Sequence, residues 1–294
     1  LFPSPTRFGS GVVSIGGGGG FLGDITPNKV GKSAALLGSQ GPQGFNKKDT
    51  SAAWNTDWKK IMDDKVAGNS DYFRLLGNLD EVDAMIIKNK SFGIGGGGNA
   101  SSIDLTINAE QYLTQGDNSS VVLAQSIGDG GGWLLLDQGN NYSFLGSIQS
   151  NGGKGAAITI TSQANLFSLG INSPAMVAQS IGGGGGATGD SQKFARLGTL
   201  KGRGDNSAGD VTIKQAGNIS TKGIYSSGVL AQSIGGGGGL VGIVSGALSM
   251  GSLQSVATQT SSSGNVAVSI SGTIQTGGNN SPALVAQSIG GGGG

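Results

Sequence analysis

One segment recurs four times along the chain: VVLAQSIGDGGG from Val121 to Gly132, MVAQSIGGGGG from Met176 to Gly186, VLAQSIGGGGG from Val229 to Gly239, and LVAQSIGGGG from Leu284 to Gly293. Its glutamines, Gln125, Gln179, Gln232 and Gln287, lie 54, 53 and 55 residues apart. A period held that closely is too short for separate domains. It therefore describes a stacked-repeat architecture, in which each unit buries the apolar surface its neighbour leaves open. The repeat positions that recur with the glutamines are Ile127, Ile181, Ile234 and Ile289, together with the glycines Gly182, Gly235 and Gly290. Shorter relatives of the segment stand at Val12 to Gly20 (VVSIGGGGG) and at Phe92 to Gly98 (FGIGGGG).

Upstream of each segment runs an alternating stretch: AAITITSQANLF from Ala156, GDVTIKQAGNIST from Gly209, and GNVAVSISGTIQT from Gly264. Val211, Ile213 and Ile219 correspond to Ile158, Ile160 and Leu166, and again to Val266, Val268 and Ile274. Branched apolar residues at every second position predict short strands with one buried face. The copy at Ile103 to Ile107 requires a one-residue deletion before Gln125 to align. Gly223, Asn279-Asn280, Ser173-Pro174 and Ser281-Pro282 mark bends. The VLA, MVA and LVA runs break the alternation, which predicts a strand covered on both faces. A weaker element follows each glycine run, at Phe144 to Ile148, Leu197 to Leu200 and Met250 to Leu253. Each repeat then offers about four short strands, enough for roughly two or three coils.

Composition sharpens the argument at the glycines, which number 60 in a chain that is only 5% aromatic. Glycine adds no side chain to a core and loses the most backbone freedom on folding, so this content requires a regular backbone arrangement. The runs keep their length of four or five from copy to copy, which a loose linker would not need. They are expected to form an ordered, extended layer of closely approaching backbones, for which a polyproline-II-like form is one candidate.

The fold class expected is all-β, a parallel β-helix or solenoid-like stack with ordered polyglycine segments and a small helical insertion near the N-terminus. The divisions are a partial repeat over 1–20, a charged insertion over 21–98, and repeats over 99–132, 133–186, 187–239 and 240–294. Residues 45–90 hold 16 of the charged side chains, whereas Gly223 to Gly294 holds none. Within the insertion Trp54, Trp58, Ile61, Met62 and Val66 follow helical spacing, with Asp49 or Thr50 as a cap and Gly68 as a stop.

A formal net charge of +1 gives no electrostatic footprint for nucleic acid or anionic membrane. No apolar stretch approaches the roughly 20 residues of a membrane helix, and the start at Leu1 has no signal-peptide pattern. The absence of both cysteine and histidine removes disulfides, thiol catalysis, Ser-His-Asp chemistry and the commonest metal ligand. No cofactor, metal or catalytic residue is expected.

Candidate sites read blandly. Val30-Gly31-Lys32-Ser33 ends like a phosphate loop, but Thr26 stands where its first glycine belongs. Asp80, Glu81 and Asp83, with Asp63-Asp64, lack calcium-loop spacing and read as a solvated face partnered by Lys59, Lys60 and Lys65. Gly128-Asp129-Gly130 is a single departure from a glycine run. The four glutamines could form an amide ladder if whole repeats stacked directly. Read against the coil count, they are expected in non-adjacent coils, each bonding backbone at a strand edge.

The combination of V-x-I, G-x-I-x-T, N-S-P-A or S-S-G, and V-L-A-Q-S-I before a glycine run resembles the repeats of large Gram-negative autotransporter passengers, over about Ser101 to Gly294. That resemblance implies a parallel β-helix at the outer membrane or outside the cell, serving adhesion, aggregation or biofilm formation. The function expected is a structural or adhesive segment of a fibrous surface protein, not an enzyme, with further copies of itself or surface glycans as partners. Two other classes compete. A glycine-rich, phage-adhesin-like receptor-binding module would need aromatic loops, which are sparse between the repeats, and a β-helix polysaccharide enzyme would need paired carboxylates on repeats that are nearly free of charge.

Overall fold

The computed structural model describes residues 10–15, 19–22, 32–41, 92–96, 98–108, 110–134, 140–146, 149–150, 152–188, 194–198, 201–202, 204–241, 247–251, 254–255 and 261–294. All regular structure among them is β-strand, and every strand pairing is parallel. The helix expected between Asp49 and Gly68 and the acidic cluster at Asp80 to Asp83 lie outside the described residues.

One unit, taken from Val211 and so offset from the divisions above, shows how the fold is built. It runs through Val211–Gln215, Ile219–Thr221, Val229–Ile234, Gly238–Val241, Ala247–Met250 and Gln254–Ser255. Each of these six strands belongs to a different sheet, and the corresponding strand one period earlier lies directly beside it. One repeat therefore makes one tier. Sheets of the first kind stack Ile103, Ile158, Val211 and Val266 in register, and sheets of the third kind stack Gln125, Gln179, Gln232 and Gln287. This differs from the expected four strands and two or three coils per repeat. The glycine runs themselves supply one of the uncounted strands, and a two-residue strand supplies another.

Beneath the first full tier, Ser10–Ile15 pairs with Val122–Ile127, Gly19–Leu22 with Gly131–Leu134, and Lys32–Gly41 with Asn140–Leu145. The relative at Val12 thus joins the AQSI sheet in the register its sequence suggested, Ser14 beside Ser126. The relative at Phe92 does not. Phe92–Gly96 pairs with Lys32–Gly41 in the fifth sheet. Parts of the stretch read as an insertion therefore carry the sheets downward. The extra residue of the first repeat falls in the turn between Ile107 and Gln111, since Ile107 aligns with Ser162 and Gln111 with Asn165.

The burial pattern follows the alternation. Ile158, Ile160 and Ser162 are buried while Thr159 and Thr161 are only partly so. The AQSI strand is buried at all six positions in three tiers, because it has an apolar compartment on each side. Val122, Ala124, Met176, Ala178, Val229 and Ala231 face the larger core with Ile158, Ile160, Leu166 and Ile213. Leu123, Val177 and Leu230 face the opposite way, against Ala187 of the glycine sheet and the partly buried Leu240 and Val285. Burying each such aliphatic side chain contributes about 1.5–3 kcal/mol, so this central wall is the main source of cohesion.

Candidate functional site

The most distinctive feature of the chain is the seam where the AQSI strand meets the glycine run, and it is built tier upon tier. Gln125 Nε2 donates to Gln179 Oε1 at 2.7 Å, Gln179 to Gln232 at 2.7 Å, and Gln232 to Gln287 at 2.6 Å. The ladder follows directly from one tier per repeat, and it replaces the expected isolated glutamines that bond backbone. Successive amides in a parallel in-register stack sit one strand spacing apart, about 4.8 Å, which suits a primary amide that offers donor and acceptor at opposite ends. Gln125 and Gln179 are fully buried and Gln232 is 2% exposed, so the two lower bonds are protected from competing water, while the uppermost is part-buried. At its lower end the ladder stops: Gln125 pairs in register with Val13, and its Oε1 is buried without a hydrogen-bond partner.

Ile127, Ile181 and Ile234 form their own buried stack, with Ile289 partly buried against it. After them comes the glycine run, and each of its residues has its own constraint. A methyl group on Gly182 would overlap the carbonyl oxygen of Asn206. Gly183, Gly184, Gly185 and Gly186 then have φ of 80°, 81°, 139° and 129°, and Gly236 to Gly239 repeat this with 82°, 88°, 149° and 140°. Such a run strongly favours glycine. The run bends over 182–184 and becomes a parallel strand only from Gly185, and it is not polyproline II, whose φ is near −75°. Its amides are all committed at the turn: Gly182 N donates to Ile234 O at 2.9 Å, Gly183 N to Gly153 O at 2.9 Å, and Gly184 N to Gly128 O at 2.8 Å. Gly235 and Gly290 occupy the place of Gly182 in the next tiers, with Gly235 N donating to Ile289 O. Asp129 stands where the other tiers have Gly183 and Gly236, buried and with φ of 74°.

Two serine ladders escaped the sequence reading. Ser119 N donates to Ser173 Oγ, Ser173 N to Ser226 Oγ, and Ser226 N to Ser281 Oγ, each at 2.9 Å. Each of the upper hydroxyls also donates to a glycine carbonyl of the tier below, Gly116, Gly170 or Gly223. In the AQSI strand itself, Ser180 Oγ donates to Ala156 O at 2.8 Å and accepts from Gly209 N at 2.8 Å, so it ties its own tier to the next. Ser126 and Ser233 do the same. These serines keep the repeat period as strictly as the glutamines, but they resemble ordinary turn residues until the tiers are stacked.

Charge contributes little here. Lys154 Nζ lies 2.6 Å from Asp205 Oδ2, an exposed pair joining neighbouring tiers. The Lys154 ammonium, with help from Ser207, lowers the Asp205 carboxyl to a pKa of about 2. Among the described residues no group of three or more acidic side chains is placed to hold a metal ion, and no helix is long and apolar enough to cross a membrane. Of the loop-like Val30 to Ser33 motif, Lys32 and Ser33 belong to a strand, and the rest lies outside the described residues. Compared with known protein families, curated proteins and solved structures, the chain matches none of them.

Proposed function

We propose that this chain is a parallel β-solenoid segment of an extracellular or cell-surface fibrous protein, whose role is to provide length and a repetitive adhesive surface. The observation that carries this reading is the identity of successive tiers. Glutamine, serine and isoleucine stack on their own kind, so a further repeat lengthens the body without altering its cross-section. Such a body is a spacer by construction. Its polar groups are spent on holding tiers together, which suits scaffolding better than chemistry.

Adhesion and self-association are read from the surface. From Gly223 onward no charged residue guards the strand edges, and uncharged edges pair readily with other chains. The autotransporter-like repeats favour the outer surface of a Gram-negative cell, with surface glycans or further copies as partners, and no catalytic residue or cofactor is assigned. Electron microscopy of variants carrying additional copies of residues 187–239 tests the reading. The particle is expected to lengthen by about 4.8 Å per added repeat at constant width, and cells displaying it are expected to adhere or clump. A particle that grows equally in all directions, or turnover of a polysaccharide substrate, contradicts it.

A further inference from the structure

We propose that two copies of this chain pair flank to flank and antiparallel through a strip centred on Leu169 and Ile171, an inference that rests on the self-associating reading above and gives it a surface. The strip is the second strand of each tier with the turn that follows it, across the tiers of Gln125, Gln179 and Gln232 (first, second and third). Gln115, Leu169 and Lys222 form one outward column, aligned by the bonds from Leu169 N to Thr114 O and from Lys222 N to Ser168 O. Asp117, Ile171 and Ile224 form the next, aligned by Asn118 N to Ile171 O and Asn172 N to Ile224 O. Leu169, Ile171 and Ile224 are 45%, 42% and 38% exposed. The second tier has a described tier on either side, so Leu169 and Ile171 are open on the flank of the stack and not at an end. Adjacent exposed aliphatic side chains of this kind mark a docking surface.

The charges around the strip say what covers it. The first tier, over 98–134, has no basic residue, and its Asp104, Glu110 and Asp117 are exposed. The second, over 155–188, has no charged residue at all. The third has the exposed Lys214 and Lys222, and among the described residues neither makes an ion pair. The acidic groups of the third tier are engaged elsewhere, Asp205 with Lys154 and Asp210 as acceptor from Asn265 N at 2.7 Å. A flank ordered acid, apolar, base along the stack is complementary to its own inverted copy. A two-fold axis through the second tier and across the stack lays Leu169 and Ile171 on their own counterparts. It also sets the first tier of each copy against the third tier of the other, where the Lys222 ammonium reaches the Asp117 carboxylate in the neighbouring column. Two equivalent ion pairs result, about 10 Å apart, the span of two strand spacings. Parallel copies would set Asp117 against Asp117 and Lys222 against Lys222, so repulsion selects the antiparallel arrangement. Three tiers span only about 14 Å of the stack, too little for the ~800 Å² per partner of a stable dimer. The contact is therefore weak and salt-sensitive, and it gains strength where many copies are displayed together.

The test is sedimentation velocity on the whole 294-residue chain, up to about 1 mM and at low and high salt. The unaltered chain is expected to dimerise, and salt to weaken the dimer. Asp117→Lys and Lys222→Asp are each expected to weaken dimerisation at least about tenfold, because each sets like charges against each other at both contacts. An equimolar mixture of these two variants is expected to restore it, since each then meets the opposite charge twice. Asp117→Lys also gives up the acceptor of the bond from Ile171 N at 2.7 Å. Asp117→Asn keeps that acceptor without the charge, and is expected to weaken dimerisation at an unchanged melting temperature. No dimer at about 1 mM, or a dimer indifferent to both charge reversals and to their mixture, overturns the strip. An elongated particle in electron microscopy without such a dimer removes this inference alone, whereas a non-elongated particle removes the scaffold reading beneath it.

Discussion

Gly277 and Gly278 are neighbours with opposite constraints. A methyl group on Gly277 would meet Lys222 and Thr221 no nearer than 3.5 Å, which is ordinary contact, whereas one on Gly278 would overlap the carbonyl oxygen of Gly223 in the tier below. Gly277→Ala is therefore expected to be neutral in thermal melts, and Gly278→Ala to cost at least ~2 kcal/mol by forcing the tiers apart. Equal effects would show that the turn is not packed as described. The glutamine ladder makes a different prediction, because its members depend on each other. Gln179→Met leaves the Gln125 amide donor and the Gln232 acceptor buried and unpaired, which is expected to cost about 2–4 kcal/mol. Replacing all four glutamines by Met removes the unmatched groups as well as the bonds, so its cost is expected to fall well short of four times the single loss. Chemical denaturation of the single and quadruple variants measures this, and simple additivity speaks against a continuous ladder. The residues themselves were visible from their period. Their roles were not, because a 54-residue separation can be closed by one tier or by several, and only the former places the amides within bonding distance.

At the scale of the element, the glycine run is a bend over 182–184 that leads into a strand whose first two residues, Gly185 and Gly186, carry no side chains. Gly182, Gly183 and Gly184 each donate a backbone bond to another strand or turn, and all three are buried. Amide exchange at these residues is expected to be as slow as in the AQSI strand before them, and fast exchange would restore the flexible-loop reading. The constancy of the run's length goes with a backbone path and hydrogen bonding that repeat from tier to tier. Its conformation was not legible, because glycine alone gives no clue to the sign of φ, and the positive values arise only from the need to turn the chain back against the AQSI sheet. Among the described residues, the Lys154–Asp205 pair carries the one resolved pH response. With its carboxyl held at about 2 against an ordinary 3.8, Asp205 contributes stability above pH 4 that is lost as the pH falls through about 2. Because the pair is exposed, the effect is small. Asp205→Asn is expected to flatten the decline in melting temperature between pH 4 and pH 2 and to change little at neutral pH. A variant that instead alters the profile above pH 5 would contradict the assignment.

For the molecule as a whole, the all-β, parallel, stacked character was legible in the alternation of Ile158 and Ile160 with threonines and in its recurrence at Val211 and Val266. The number of strands per repeat was not, because three of the six carry no alternating signal: the glycine strand, the two-residue strand, and the outer strand that differs from Asn140–Leu145 to Phe194–Leu197 to Ala247–Met250. The last two are held in place by the tiers above and below, so their sequences are free to vary, whereas the glycine strand varies only after its two glycines. The central claim is that one repeat makes one tier, and a distance along the stack tests it most directly. Asp104 and Ala267 are both exposed and occupy the same column, three tiers apart through Thr159 and Thr212. Spin labels at these two positions are expected to show a pulsed-dipolar distance set by three strand spacings, about 14 Å between backbones. A distance near 29 Å or more, as two or three coils per repeat would require, would contradict the account.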